Sequence, residues 1–346
     1  MNSQHTAQHT YPLEDLPSPR EVFNVTPENL ALKVTDHYSP AVLKGFAKHW
    51  PIVEAARESN NTLVDYLSRF DQGQTLPIIV LPKKTKGRMF YDASLSGVNF
   101  QQAKGTLEQA LANMQRYISR LSSDSVCVQS VRIKDTFPRL GSELDNPLLP
   151  DTHPFIWLGN PITVAPHFDE AHNIAVVCAG KRRFTLFPPQ QVKNLYIGPL
   201  DFTPAGQPIS LVDLRAPDVN KYPNYPQAFA QGLSVELEPG DAIYIPSPWW
   251  HHVESLSNLN VLINYWWSGN KVSTALPFPM LIHAIQALKS QPYEQQQAWK
   301  SMLEHYLFDK DTDPGEHIPQ AAKGILGQYT DKVSHQVHQW LAKLLG

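Results

Sequence analysis

The stretch that decides the fold of this chain is PHFDEAHN, residues 166–173. Within it, one residue separates His167 from Asp169. Because alternate side chains of a β-strand share a face, this spacing predicts that the imidazole and the carboxylate converge on one point. A second stretch, EPGDAIYIPSPWWHHV, occupies residues 238–253. Its turn, its apolar strand and its terminal His251 predict an independent element that returns to the same point.

Two imidazoles and one carboxylate form the ligand set that typically holds non-haem Fe(II) and leaves three adjacent coordination positions open. We therefore predict that His167, Asp169 and His251 bind a divalent metal. The lack of a thiolate in this set argues against structural zinc or an iron–sulfur cluster. A His-x-Asp triplet alone often arises by chance, so the second stretch carries this interpretation. His172 and His252 compete with the predicted ligands, although His252 should point away from His251 on an extended chain.

Short β-rich runs follow one another from about residue 125, and Pro, Gly, Asn and Asp separate them. Many short strands separated by turn residues predict a β-sandwich or a barrel. Apolar residues at helical spacing predict helices before and after it, so we expect a mainly β fold with flanking helices. The predicted strands are 125–132, 154–158, 173–178, 183–187, 234–237, 242–246 and 260–267. The predicted helices are 61–71, 106–121, 277–290, 295–308 and 319–345.

The chain divides into three predicted regions. Residues 1–124 form an N-terminal helical and strand segment packed on the core, and residues 125–270 form the β core. A long Pro-rich insertion at 188–232 interrupts the core, and such insertions often serve as functional loops or lids. Residues 271–346 form a C-terminal helical region. Its last helix carries an apolar stripe too wide to face water, which must pack on the chain's own barrel or on a second subunit.

The composition excludes several classes of protein. Hydrophobic residues make up 42% of the chain, which excludes wholesale disorder, and the net charge of −3 provides no basic field for nucleic acid. The two cysteines, Cys127 and Cys178, lie in apolar stretches, which predicts reduced core thiols. No apolar run approaches the ~18 residues of a membrane span, and the N-terminus lacks the pattern of a secretion signal. We expect a soluble cytoplasmic protein without nucleic-acid or membrane partners.

Beyond these patterns, the runs His167–Pro189 and Pro239–Trp267 resemble the cupin-like JmjC dioxygenases. The chain is most similar to the branch that contains the asparaginyl hydroxylase of hypoxia-inducible factor. Segments Pro40–Pro51 and Tyr91–Gln102 resemble the N-terminal part of that branch, and the tail resembles its dimerisation helices. The resemblance implies a double-stranded β-helix (cupin or jelly-roll) core between an N-terminal α/β segment and a C-terminal helical bundle. It also implies a homodimer, Fe(II), 2-oxoglutarate as cosubstrate, and dioxygen.

The resemblance assigns roles to individual residues. His167, Asp169 and His251 fall on the metal ligands of the family and are the expected catalytic residues. Arg182 falls near the basic position that anchors the distal carboxylate of 2-oxoglutarate, a role that a guanidinium fork can fill. Lys181 and Arg183 are the alternatives if the register differs by one residue.

Further residues are expected around the cosubstrate. Asn173 and Asn264 fall on polar positions of the family near 2-oxoglutarate. Gln129 matches the residue type that the family has at its position. Trp266 falls on an aromatic beside the metal site, and Trp249 is a second candidate for an apolar wall of the substrate pocket.

The chain departs from the family at two positions. Val164 stands where the family often has Thr, with Thr163 one residue earlier as the candidate for that role. Cys127 stands where a family Tyr reaches the cosubstrate. The metal ligands therefore transfer more securely than the 2-oxoglutarate pocket.

The implied activity is the hydroxylation of a protein or peptide side chain, with 2-oxoglutarate converted to succinate and carbon dioxide. An alternative is a hydroxylase of a small molecule such as an amino acid or metabolite. A third possibility is a non-enzymatic metal-binding cupin, which predicts a pocket without a carboxylate anchor. A dead barrel with an interaction tail predicts the loss of a metal ligand, but all three are present.

Overall fold

The computed structural model describes residues 10–204, 206–268 and 276–345. These divide into two compact units, one ending at Trp267 and the other formed by the remaining chain. The expected boundary between residues 270 and 271 lies outside the described residues, as do residues 1–9 of the expected N-terminal segment.

The first unit contains every strand of the described chain and the helices that precede them or lie between them. The strands are β1 (Arg20–Val22), β2 (Ala41–Leu43), β3 (Leu76–Leu81), β4 (Arg88–Met89), β5 (Gln101–Gly105), β6 (Ser125–Arg132), β7 (Pro154–Gly159), β8 (Thr163–His167), β9 (His172–Ala179), β10 (Arg182–Phe187), β11 (Leu233–Leu237), β12 (Ala242–Ile245), β13 (Trp250–Ser255) and β14 (Asn260–Trp267). The helices of this unit are α1 (Leu30–Lys33), α2 (Pro51–Glu58), α3 (Asn60–Ser68), α4 (Leu107–Ile118), α5 (Ile133–Thr136), α6 (Pro138–Gly141) and α7 (Tyr225–Phe229).

Two sheets face each other and form a jelly-roll, which confirms the expected mainly β fold with flanking helices. One sheet has nine strands in the order β1-β2-β12-β9-β14-β7-β6-β3-β5. The other has five, in the order β11-β10-β13-β8-β4. Strands that precede residue 125 extend both sheets, so the N-terminal part of the chain and the β core share their hydrogen-bonded ladders.

The space between the sheets is filled by apolar side chains from both. Val177 of β9 and Ile243 of β12 meet Phe184 and Leu186 of β10 and Val253 of β13 in one buried cluster. Since alternate residues of a strand face opposite sides, the neighbours of these residues lie on the outer faces of the sheets.

Each outer face has a different cover. Helices α2, α3 and α4 bury the outer face of the nine-stranded sheet in the largest apolar cluster of the chain. The insertion at 188–232 covers the outer face of the five-stranded sheet, where its Val212 and Tyr225 pack with Phe187 and Trp250. This second cover places the insertion directly behind β10 and β13.

Several predicted elements are observed close to their expected bounds. α4 begins with a complete capping box, in which the Thr106 hydroxyl accepts from the Gln109 amide and the Gln109 side chain accepts from the Thr106 amide. Two strands of the core, β8 and β13, lie outside the predicted strand ranges, because Pro166 interrupts the strand pattern of β8 and β13 follows a Pro-rich bend without a clear alternation of apolar residues.

The C-terminal unit is helical over its described residues. Its helices are α8 (Pro277–Leu288), α9 (Tyr293–Leu303) and α10 (Asp331–Leu345). The predicted start of the last helix at residue 319 is wrong, since only two short turns, Gln320–Ala322 and Gly324–Leu326, precede α10. Among the described helices, none combines the length and the apolar character needed to cross a bilayer.

Candidate metal centre

Three side chains from two neighbouring strands and a loop converge at one end of the jelly-roll. His167 is the last residue of β8, and His251 is the second residue of β13, directly opposite it in the antiparallel ladder. With Asp169, they place one ligand atom each within 4.8 Å of one another. The His251 Nε2 atom lies 3.6 Å from the Asp169 Oδ2 atom. This is the arrangement of donor atoms that a single divalent cation requires.

Both imidazoles are fixed in the tautomer that a metal needs. The His167 Nδ1 atom lies 3.0 Å from the Ala165 carbonyl oxygen, and the His251 Nδ1 atom lies 3.1 Å from the Trp249 carbonyl oxygen. A carbonyl oxygen only accepts, so each Nδ1 carries the proton and each Nε2 keeps its lone pair. Burial, and then the neighbouring His167, lower the pKa of His251 to about 4, which keeps its ring neutral at physiological pH.

Asp169 reaches the site from a loop. The prediction that His167 and Asp169 share one strand is wrong, since β8 ends at His167. The Ser247 hydroxyl donates to the Asp169 carbonyl oxygen at 2.9 Å and holds the loop. The carboxylate itself accepts at Oδ2 from the Trp266 indole at 2.9 Å and from the Asn173 side-chain amide at 3.3 Å.

The three donor groups fit a divalent metal of intermediate hardness. Two neutral imidazoles and one carboxylate suit Fe(II), Mn(II) or Zn(II), and hydrogen bonds that orient each ligand are typical of metal sites in proteins. Both imidazoles and the carboxylate line a cavity of about 250 Å³. The cavity therefore gives a bound ion room for further ligands.

Arg182 is the cation of this cavity. It is the first residue of β10, lines the cavity and is 4% exposed. Among the residues that the structure describes, no carboxylate pairs with it, and its Nε atom has no acceptor. Burial accordingly lowers the pKa of its guanidinium to about 10.

The two neighbouring cations face the other way. Lys181 pairs with Glu238 at 2.7 Å, and Arg183 pairs with Glu236 at 3.3 Å. Neither lines the cavity, so alternation along β10 leaves Arg182 as the cation inside the barrel.

Three of the remaining candidates also line the cavity, namely Gln129, Asn173 and Asn264. The Asn264 amide donates to the Asn173 side-chain oxygen at 2.9 Å, which continues the chain of hydrogen bonds that ends on Asp169. Gln129 faces the cavity by alternation from Cys127, and the register of β6 against β7 shifts between Val128 and Val131, which brings Ser130 to the cavity as well. This irregularity turns consecutive residues toward one side.

The structure does not bring two of the expected residues to the cavity. Thr163 precedes the cavity-lining Val164, so its side chain faces the opposite side of β8. Trp249 lies just before β13 and donates its indole N–H to the Tyr38 carbonyl oxygen at 3.0 Å. Trp266 does line the cavity, as expected for it.

The competing histidines lie elsewhere. His172 packs against the rings of Tyr244 and Trp267, and its Nδ1 atom lies 3.1 Å from the Tyr244 hydroxyl. His252 is buried on the outer face of β13, where its Nε2 atom lies 4.0 Å from the Glu254 carboxylate, and neither ring nitrogen makes a hydrogen bond to the described residues.

Other cavity residues had no signal in the sequence. Trp157 of β7 forms part of the wall, and its indole nitrogen has no acceptor in the described chain. Gly206 and Gln207 reach the cavity from the insertion at 188–232. The length and Pro content of that insertion indicated a functional loop, but not which of its residues would face the metal centre.

Comparison with known proteins identifies the fold family. The model of the cupin-like domain matches residues 27–272, which is most of the chain. The chain belongs to the cupin-like domain family. This confirms the expected resemblance to cupin-like JmjC proteins at the level of the family.

Three relatives illustrate the range of this family. The chain is 26% identical to lysine-specific demethylase 8 of Xenopus tropicalis over 67% of this chain and 50% of the relative. It is 26% identical to tRNA wybutosine-synthesizing protein 5 of Mus musculus over 51% of this chain and 60% of the relative. It is 34% identical to lysine-specific demethylase JMJ31 of Arabidopsis thaliana over 31% of this chain and 19% of the relative. The matches cover less than two thirds of the length of each of these relatives.

Proposed function

We propose that this cupin-like protein is an Fe(II)- and 2-oxoglutarate-dependent oxygenase that hydroxylates a protein or peptide side chain. His167, Asp169 and His251 would hold the iron. The proposal places the chain nearest to the branch of the asparaginyl hydroxylase of hypoxia-inducible factor, on the basis of the sequence resemblance. The names of the relatives support an enzyme that modifies a macromolecule.

The observation that carries the proposal is the unpaired guanidinium of Arg182 in the metal cavity. A buried charge without a partner is costly, and proteins keep one mainly where a ligand supplies the opposite charge. A ligand that bridges the metal centre and Arg182 must therefore present a chelating group at one end and an anion at the other. 2-Oxoglutarate has this constitution, with a 2-oxo acid at one end and a carboxylate at the other.

Iron with 2-oxoglutarate and dioxygen supplies the oxidising chemistry when bound, and the protein supplies binding, orientation and exclusion of water. Arg182 would bind the distal carboxylate through paired N–H donors. Asn173 and Asn264 line the cavity, are linked to Asp169 by hydrogen bonds, and would contribute polar groups to the binding of the cosubstrate. Trp157 and Trp266 form apolar walls that keep bulk water from the reacting atoms.

The size of the cavity favours a side chain as substrate. About 250 Å³ is smaller than the ~300–1,000 Å³ of sites that enclose a whole small ligand. With the cosubstrate in place, the remaining space suits one side chain that enters from the mouth. A free metabolite enclosed together with the cosubstrate needs a larger cavity.

The deciding experiment is an anaerobic titration of metal-free protein with Fe(II) and then with 2-oxoglutarate. We expect saturable Fe(II) binding, followed by a visible metal-to-ligand charge-transfer band when 2-oxoglutarate is added. Iron binding without the band would leave a metal-binding cupin and reject the cosubstrate. Panels of peptides and of amino acids, assayed by succinate release, would then separate a protein hydroxylase from a small-molecule hydroxylase.

We also propose that the C-terminal helices form a homodimer interface. α8 has the apolar sequence PFPMLIHAIQAL, yet none of its residues is buried within the chain. Large apolar side chains of α9 and α10, among them Trp299 and Trp340, are also exposed. Exposed apolar side chains in this number favour a partner, and a second copy presents the same side chains in return.

The proposal also includes a cytoplasmic setting and no nucleic-acid partner. Both cysteines are free and buried, which agrees with a reducing cytoplasmic setting. The net charge of −3 gives nucleic acid no electrostatic advantage as a partner. In this organisation, residues 125–270 carry the catalytic core, and residues 271–346 carry the dimer interface.

A further inference from the structure

Asp169 lacks the local support that the two imidazoles have. His167 and His251 each belong to a strand and donate Nδ1–H to a carbonyl oxygen two residues earlier in their own segment. Asp169 follows the end of β8, so no ladder fixes its backbone. Its side chain must therefore be oriented by groups from elsewhere in the fold.

Two N–H donors from one strand pair supply that orientation. Trp266 of β14 and Asn173 of β9 are direct cross-strand neighbours. Both donate to the same atom, Asp169 Oδ2, at 2.9 and 3.3 Å. A carboxylate oxygen only accepts, so the nitrogen of the Asn173 amide faces Asp169, and its oxygen accepts from Asn264 at 2.9 Å.

The oxygen that these donors hold is also the one that faces the metal position. Oδ2 lies 3.6 Å from His251 Nε2. Of the two hydrogen bonds that it accepts, the one from Trp266 is the shorter. We propose that Trp266 is a positioning residue, whose indole N–H fixes Asp169 Oδ2 for metal binding and moderates its donor strength. This inference rests on the proposed function in requiring that the site binds a metal, and its second readout below also requires that 2-oxoglutarate binds that metal.

The indole has two separable roles at this position. Its ring packs edge-to-face on Phe155 with ring centroids 5.1 Å apart, while its N–H contacts Asp169. Trp266→Phe keeps a smaller aromatic ring against Phe155 and removes the donor. Trp267→Phe is the matched control, because Trp267 lies on the opposite face of the same strand and packs against His172 and Tyr244.

The first readout is metal affinity without any turnover. Metal-free wild type, Trp266→Phe and Trp267→Phe are titrated with Fe(II) under anaerobic conditions, or with Mn(II) followed by electron paramagnetic resonance. Loss of a group that orients a metal ligand typically weakens binding by 10–100-fold. We expect a loss in this range for Trp266→Phe and a change below about 2-fold for the control.

The second readout separates the hydrogen bond from a merely structural effect. Without the indole donor, Asp169 becomes a stronger electron donor to the metal, so the charge-transfer band of the Fe(II)–2-oxoglutarate complex should move to longer wavelength in Trp266→Phe. A variant that is only less stable would keep the wild-type band position. Equal metal affinity in Trp266→Phe and wild type would overturn the positioning role while leaving the proposed function intact. Failure of the wild type to bind metal would overturn both.

Discussion

Arg215 donates two parallel hydrogen bonds to Glu254 on the outer face of β13, the strand that carries His251. Its Nε and Nη2 atoms donate to the two carboxylate oxygens at 2.8 and 2.9 Å, and its Nη1 atom donates to Glu14 at 2.9 Å. A second arginine, Arg88 of β4, reaches Asp213 at 3.6 Å. The insertion is thus tied by ion pairs to β13 and to β4, while its residues 206 and 207 reach the cavity on the inner side.

Removing this bidentate pair should loosen the insertion. We expect Arg215→Gln to lower the free energy of unfolding by about 1–3 kcal/mol, the range for hydrogen bonds to charged groups. The lower end applies because the Arg215 side chain is 39% exposed. Amide exchange over residues 206–215 should rise, whereas Fe(II) affinity should stay unchanged because β13 remains paired on both sides.

The control for that experiment is Arg132→Gln, which removes an exposed pair with Asp135 far from the insertion. Exchange over residues 206–215 should remain at the wild-type rate in this variant. Wild-type protection in Arg215→Gln would show that apolar packing alone holds the insertion.

Asp169→Ala should abolish metal binding without unfolding the protein. The residue lies in a loop and takes part in no strand pairing, so the sheets keep their hydrogen bonds. Loss of a ligand should weaken Fe(II) binding by more than the ~10–100-fold that follows loss of a residue that only orients a ligand. Calorimetric titration measures the affinity, and circular dichroism checks the fold. Retained Fe(II) affinity in this variant would remove Asp169 from the ligand set.

We predict that Arg182 is needed to bind 2-oxoglutarate but does not stabilise the metal-free protein. In Arg182→Met a flexible apolar side chain replaces a buried, unpaired cation, which removes the cost of keeping that charge out of water. We expect the metal-free variant to melt at the same or a higher temperature, while its affinity for 2-oxoglutarate falls at least 10-fold. Arg183→Gln is the matched control, since its guanidinium faces Glu236 outside the barrel. A marked loss of stability in Arg182→Met would mean that the guanidinium has a structural partner.

The cysteines should be unreactive in the native protein. Burial raises the pKa of the Cys127 thiol to about 12, and burial also raises that of Cys178. The thiolate is the reactive form, so a raised pKa keeps both groups protonated at pH 8, and their reaction rate should rise only in strongly alkaline solution. Titration with a chromogenic disulfide reagent should detect no thiol before unfolding and two in denaturant. Rapid reaction of the native protein would contradict the buried positions.

The proposed dimer predicts a mass of twice 39.0 kDa, about 78 kDa, by light scattering. Leu281→Glu places a charge on the exposed apolar surface of α8, where the residue is 44% exposed in the single chain. We expect this variant to be a folded monomer, because the charge is tolerated in water but not inside an interface. Leu121→Glu, at another exposed leucine, should remain dimeric. A wild-type monomer at micromolar concentration would refute the dimer.

Much of the jelly-roll was predictable from local patterns. Runs such as 125–132 and 260–267 are long, apolar and bounded by turn residues, and they coincide with β6 and β14. β8 and β13 lie outside the predicted strand ranges, because a strand interrupted by Pro166, or one carrying His-His-Val-Glu, shows little apolar alternation. These two strands hold both imidazoles, so the weakest strand signals belong to the functional end of the fold.

The sequence by itself determined the chemical groups available to the site. It contains the two imidazoles, the carboxylate and the cation of β10, together with the turn and strand that return His251 to His167. Residue identity determines these groups, whereas alternation along one strand does not bring Asp169 to His167, because β8 ends at His167.

Only the tertiary structure decided which groups face one another. Register within the five-stranded sheet turns Arg182 into the cavity and leaves Lys181 and Arg183 with carboxylates outside. Asp169 Oδ2 is oriented by Trp266, which lies 97 residues further along the chain. Contacts between residues so far apart depend on how the sheets pair, and no local pattern in the sequence records that pairing.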